Sequence, residues 1–200
     1  MKSQALVCFP FTDLTPSMQT LGESVFPKTL SMHPERARGY LTARFALLEA
    51  YQQLGIKLEF SDLQNLKDNR HQDFQDFFFS LSHTSYRGKT VAGALLQKKN
   101  FAVGLDLEWK SRSIQKGAEH FFVREEDYEI DPLVLWCLKE AAFKSISSVF
   151  PPGLVLKELW VRGSNFGHYK DPTKNLGQVK YQVNNFLGSE LLVATAFREI

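Results

Sequence analysis

Asp106 and Glu108 stand two apart in the run Gly104-Leu105-Asp106-Leu107-Glu108. On a strand that spacing puts both carboxylates on one face, roughly 7 Å apart along the chain, and directs Leu105 and Leu107 the other way into a core. Two neighbouring carboxylates can hold a hard cation such as Mg²⁺, which completes its shell with water and phosphate oxygens. An ordinary solvated strand face carries the same pattern.

A second group lies in Trp136-Cys137-Leu138-Lys139-Glu140-Ala141-Ala142-Phe143-Lys144. Trp136, Glu140 and Lys144 are four apart and share one helical stripe. Leu135, Leu138, Ala142, Ile146 and Val149 form the apolar stripe beside it. A third carboxylate brought to the Asp106/Glu108 pair would complete an oxygen-rich metal site, and a lysine one turn further could neutralise phosphate. The competing reading is a surface Glu140–Lys144 ion pair worth roughly a few tenths of a kcal/mol.

Two weaker groups follow. In Ser80-Leu81-Ser82-His83-Thr84, a histidine at a strand end can donate to phosphate with the Ser82 hydroxyl nearby, or serve structurally. A Ser82–His83 nucleophile pair is disfavoured, since adjacent strand residues face opposite sides and no G-x-S-x-G elbow is present. Arg36, Arg38 and Arg44 lie on one predicted helix, and Lys67, Arg70, Arg87 and Lys89 on loops. The guanidinium fork suits bidentate phosphate binding, although such charges often form only a solvated face. Phosphate-binding and dinucleotide-binding glycine loops, C-x-x-C and H-E-x-x-H are all missing, which argues against nucleotide-loop enzymes and zinc hydrolases.

Taken in order, Ser80-Leu81-Ser82-His83-Thr84, Val103-Gly104-Leu105-Asp106-Leu107-Glu108 and Trp136-x-x-Lys139-Glu140-Ala141-x-x-Lys144 resemble the 4′-phosphopantetheinyl transferase superfamily in its longer, pseudo-dimeric form. The likeness spans about residues 33–161, and the last block is the most specific. It implies an α+β fold of two similar halves related by a pseudo-two-fold axis, each a small sheet packed with a long helix, with the site in the cleft between them. It implies an enzyme that moves the phosphopantetheine arm of coenzyme A (CoA) to a serine of an apo acyl, peptidyl or aryl carrier protein, releasing adenosine 3′,5′-bisphosphate. By position, Asp106, Glu108 and Glu140 would hold Mg²⁺, with Mn²⁺ as an alternative. Glu140 would also be the base for the carrier serine, and Lys144 would stabilise the leaving phosphate. Ser82, His83, Arg36, Arg38, Arg44, Lys139 and Lys144 would contact CoA. Many relatives carry a Tyr-Gly-Lys-Pro-type segment before the Ser-His block. Asn65-Leu66-Lys67-Asp68-Asn69-Arg70-His71 stands there instead, so Lys67 or Arg70 would supply that cation. The rival readings are a CoA- or nucleotide-binding regulatory protein on the same fold and a Mg²⁺-dependent CoA diphosphate hydrolase.

These groups need elements to position them. A helix is predicted from Pro34, with Glu35 in its first turn, to Gly55. A strand is predicted at Ile56–Phe60, then strands at Phe77–His83, Thr90–Gln97 and Phe101–Glu108. A short helix follows around Ile114–Phe122. Asp131 as N-cap and Pro132 at N1 open the strongest helix, Leu133–Val149, which Pro151-Pro152-Gly153 stops. Strands at Leu154–Val161, Gln178–Phe186 and Glu190–Phe197 complete the chain, while residues 10–32 read as irregular. The order suggests an N-terminal half, 1–100, and a C-terminal half, 101–200, that carries the acids. The 200 residues hold 24 Lys+Arg against 22 Asp+Glu, which excludes a strongly basic nucleic-acid binder. No apolar run exceeds Val91–Leu96, so no membrane span is expected, and no secretory signal is evident at the N-terminus. Cys8 and Cys137 are too few to staple a secreted scaffold and suit reduced thiols in the cytoplasm. The 17 Phe imply a well-filled core, and a monomer is the expected state.

Overall fold

The computed structural model describes residues 3–67, 70–71, 76–98, 100–127, 129–147 and 154–200, the side chains of 66, 67, 70 and 71 excepted. The chain divides into two units, Met1–Lys99 and Asn100–Ile200. Each is α+β, with one antiparallel five-stranded sheet.

The first unit runs β1 (Gln4–Pro10), α1 (Pro16–Val25), α2 (Pro34–Gln53), β2 (Leu66–Lys67), β3 (Arg70–His71), β4 (Phe77–Tyr86) and β5 (Lys89–Lys98), in sheet order β1-β5-β4-β3-β2. The second runs β6 (Phe101–Trp109), α3 (Pro132–Ile146), β7 (Leu159–Arg162), β8 (Asn165–His168), β9 (Asp171–Phe186) and β10 (Ser189–Glu199), in sheet order β6-β10-β9-β8-β7. In each unit the opening strand pairs with the closing one, and a four-strand meander fills the rest. Both closing hairpins turn through two residues at positive φ, Arg87-Gly88 and Leu187-Gly188, which matches the twist of the paired strands.

Helix α2 begins at Pro34 and packs Phe45, Leu47 and Tyr51 against Val7, Phe79 and Leu96. Phenylalanines fill the gap beyond the helix: Phe45 stacks on Phe60 at 4.1 Å, and Phe26 meets Phe60 edge-on at 5.6 Å. Helix α3 opens as predicted, with Asp131 Oδ1 accepting from the Leu133 and Val134 amides. Its Leu135, Leu138, Ala142 and Ile146 pack with Phe166, Leu192 and Ala194.

Several elements differ from the sequence expectation. Residues 4–10 pair with β5 as a strand. Thr15 caps an unpredicted α1 by accepting from the Met18 amide. Ile56 and Leu58 do not enter a strand. They lie against the first core in a segment without regular secondary structure, and Phe60 begins a 3-10 turn. The expected helix near 114–122 is a 3-10 turn at Ala118–Phe121. The first meander strand of the second unit starts at Leu159, and β8 is an additional strand. Val149 and the Pro151-Pro152-Gly153 stop lie outside the described residues. No described helix is long and apolar enough to cross a membrane.

Candidate active site

The acids of β6 face the helix. Gly104, Asp106 and Glu108 oppose Ala196, Ala194 and Leu192 of β10, and those three residues belong to the core that α3 packs on. The correction to the sequence reading concerns side: Leu105 and Leu107 are buried, but the core under α3 lies on the carboxylates' face. Gly104 makes this possible. A Cβ there would stand 1.8 Å from the Ala141 carbonyl oxygen and 3.0 Å from the Ser145 amide nitrogen. Helix and strand backbones therefore meet at this point, and Glu140 and Lys144, flanking Ala141 on α3, are delivered to the acids two and four residues along β6.

Asp106 and Glu108 are only 7% and 8% exposed, so each charge needs a partner. The Lys144 ammonium donates to Asp106 Oδ1 at 2.8 Å and to the Leu105 carbonyl at 2.9 Å. Arg112 Nη1 donates to Glu108 Oε1 at 2.6 Å. Burial pushes the Glu140 carboxyl above its ordinary range. The Asp106 and Glu108 charges push the same way, and Lys144 pulls it back. Beneath them Cys137 is fully buried. Burial pushes its thiol up, as do the charges of Asp106 and Glu108 and its hydrogen bond to Asp106. Two members of this cluster carried no signal of their own: Arg112 lies past the strand end, four residues from Glu108, and Cys137 lies three residues before Glu140 on the helix.

Among the described contacts, three carboxylates against the Lys144 and Arg112 cations leave one net negative charge when all are ionised. The donor set is all oxygen, which suits Mg²⁺. Among the described residues no three His, Cys, Asp or Glu side chains are already gathered around one point as a metal cage. The chain's own cations sit on two of the acids instead. Glu140 also lines a cavity of about 430 Å³, with Trp136, Phe143, His120, Phe121 and Leu156, so the carboxyl stands between the charged cluster and an open, mainly apolar space.

Lys139 is not presented to this site. It is fully buried, donating to Asp127 Oδ2 at 2.6 Å and to the Phe122 carbonyl at 2.7 Å. Burial lowers its pKa and the Asp127 contact opposes that shift. Its place is that of a clasp holding the 122–127 segment to α3, apart from the Asp106, Glu108 and Glu140 group.

In the first unit, Ser82 and His83 take opposite faces of β4. Ser82 is buried away from α2. His83 is exposed on the α2 side, where a Cβ on Gly39 would fall 2.4 Å from its Cδ2. The two cannot act as adjacent donors on one face. Arg36 is exposed, one turn before Gly39. Arg38 lies over the Phe11 ring. Arg44 stacks on Tyr40 at 3.2 Å and donates to the Tyr40 carbonyl, and burial brings its pKa down to about 10. It is thus engaged within its own unit. Lys67 and Arg70 pair through the backbones of β2 and β3, and their side chains lie outside the described residues. Comparison with models of protein families and with curated proteins finds no match.

Proposed function

We propose that this protein transfers the 4′-phosphopantetheine arm of CoA to a serine of an apo carrier protein and releases adenosine 3′,5′-bisphosphate. The observation that carries the reading is the meeting of the strand block and the helix block, with Lys144 on Asp106 and Glu140 within the field of both β6 acids. The common strand order of the two sheets supports the reading of the halves as two copies of one α+β pattern. Free cysteines at 8 and 137 accord with a reducing, cytoplasmic setting.

In the reaction the carrier serine oxygen attacks the phosphorus next to the pantetheine arm. The bond from that phosphorus to the bridging oxygen breaks, and the bridging oxygen leaves with adenosine 3′,5′-bisphosphate. Glu140, whose proton affinity is raised by burial and by two neighbouring carboxylates, takes the serine proton directly or through water. Lys144 faces the growing charge on the leaving phosphate. Asp106, Glu108 and Glu140 would hold Mg²⁺, which supplies charge neutralisation at the diphosphate when bound.

The test incubates the protein with CoA, Mg²⁺ and apo carrier proteins of the three classes and follows adenosine 3′,5′-bisphosphate. Release that requires the carrier supports the transferase. Release without carrier points to the diphosphate hydrolase, and CoA binding without cleavage points to the regulatory protein.

A further inference from the structure

We propose that Arg112 is the protein's own stand-in for a divalent cation at Glu108: it neutralises that carboxylate while no ion is bound and gives way when one binds. The inference rests on the metal reading above and concerns a residue that reading leaves without a role.

The two cations on the β6 acids are held differently. Lys144 has two acceptors, Asp106 and the Leu105 carbonyl, and its side chain is 26% exposed. Arg112 contacts Glu108 at 2.6 Å from the turn that follows β6, where its own amide donates to the Trp109 carbonyl. Its side chain is 46% exposed, whereas that of Glu108 is 11% exposed. The asymmetry decides which partner can leave. A carboxylate this buried needs a counter-charge at all times. A guanidinium already half in water loses little solvation by moving fully into it. Once a divalent ion sits on Glu108, Arg112 is redundant as a counter-charge and is repelled by the ion. Lys144, fixed by a backbone carbonyl as well, stays to face phosphate.

The probe is Mn²⁺ alone, with free ion followed by its electron paramagnetic resonance signal and protein stability followed by thermal unfolding. Wild type is compared with Arg112→Gln, Arg112→Lys, Lys110→Gln and Asp106→Asn. Lys110 lies on the same turn but pairs with Asp131 at 3.6 Å, so its loss removes a nearby positive charge without touching Glu108. The expected result is Mn²⁺ affinity about tenfold higher in Arg112→Gln at low salt, little change in Arg112→Lys or Lys110→Gln, and strongly weakened binding in Asp106→Asn. Ion-free Arg112→Gln should melt below wild type, and saturating Mn²⁺ should close that gap because the ion replaces the missing charge. Equal affinities in wild type and Arg112→Gln, or an equal gain from Lys110→Gln, would overturn the stand-in role and leave the metal reading intact. Absence of Mn²⁺ binding in both wild type and Arg112→Gln would overturn the metal reading, and this inference with it.

Discussion

The Lys144 ammonium bridges the Asp106 carboxylate at 2.8 Å and the Leu105 carbonyl at 2.9 Å, which ties the last turn of α3 to the middle of β6. A cation fixed by two oxygens is already in place when charge develops nearby, so it acts most on the transition state. Lys144→Ala should lower kcat for carrier modification by about 10²–10³ with a much smaller change in CoA KM. Steady-state kinetics across CoA concentrations checks this. A rise in CoA KM with kcat unchanged would make Lys144 a ground-state contact only.

The contact depends on Gly104. Its absent Cβ leaves room for the Ala141 carbonyl, a backbone atom that cannot rotate away. Gly104→Ala should cost about 3 kcal/mol in urea unfolding and reduce activity with it, because α3 must move off β6. Gly39→Ala meets side-chain atoms alone, Cδ2, Cγ and Nε2 of the His83 ring, which can shift where a backbone carbonyl cannot, and should cost about 1 kcal/mol. Similar losses at the two positions would show that α3 is not seated on β6 as tightly as this geometry requires.

Buried Lys139 and Asp127 should behave as a pair. Lys139→Ala leaves Asp127, which is 2% exposed, without its cation and should destabilise by about 3–5 kcal/mol. The double change Lys139→Met with Asp127→Leu should recover most of that loss and keep CoA KM within about threefold of wild type. A tenfold rise in CoA KM in the stable double variant would show that the ammonium reaches substrate after all.

Glu140 sets a pH dependence with a definite sign. Its folded-state pKa lies above the ordinary glutamate value, from burial first and then from Asp106 and Glu108. The folded protein therefore holds this proton more tightly than the unfolded chain does. As pH rises from the ordinary value through the raised one, Glu140 makes stability fall, while the fraction able to act as base rises. Glu140→Gln should remove that part of the decline, melting above wild type at pH 8 and close to it at pH 4, and should nearly abolish turnover. Parallel melting curves for the two proteins across this range would contradict the raised pKa.

Local chemistry made part of this arrangement readable in advance. Pro34 and the Asp131-Pro132 pair mark helix starts because each satisfies first-turn requirements by itself. Alternation located β4, β5 and β6, and four-residue spacing put Glu140 and Lys144 on one stripe. What stayed hidden depends on neighbours. Ile56 and Leu58 alternate because a segment outside regular secondary structure rests on a core, and no strand among the described residues pairs with it. Helix α1 has a short apolar stripe, Met18, Leu21, Gly22 and Val25, of which only Gly22 is fully buried, and the Pro, Ser and Thr around it masked the stripe. Strand β6 is buried on both faces except at Phe101, and alternation alone cannot say which face a helix covers. Lys139 sits beside Glu140 in sequence yet points into the protein, where Asp127 and the Phe122 carbonyl wait twelve and seventeen residues upstream.

The most direct measurement is the intact mass of an apo carrier protein after incubation with this protein, CoA and Mg²⁺. The expected result is a gain of one phosphopantetheine arm, lost when the carrier serine is replaced by alanine and lost again with the Asp106→Ala enzyme. An unchanged mass for acyl, peptidyl and aryl carriers alike, with wild-type protein folded and CoA saturating, would contradict it.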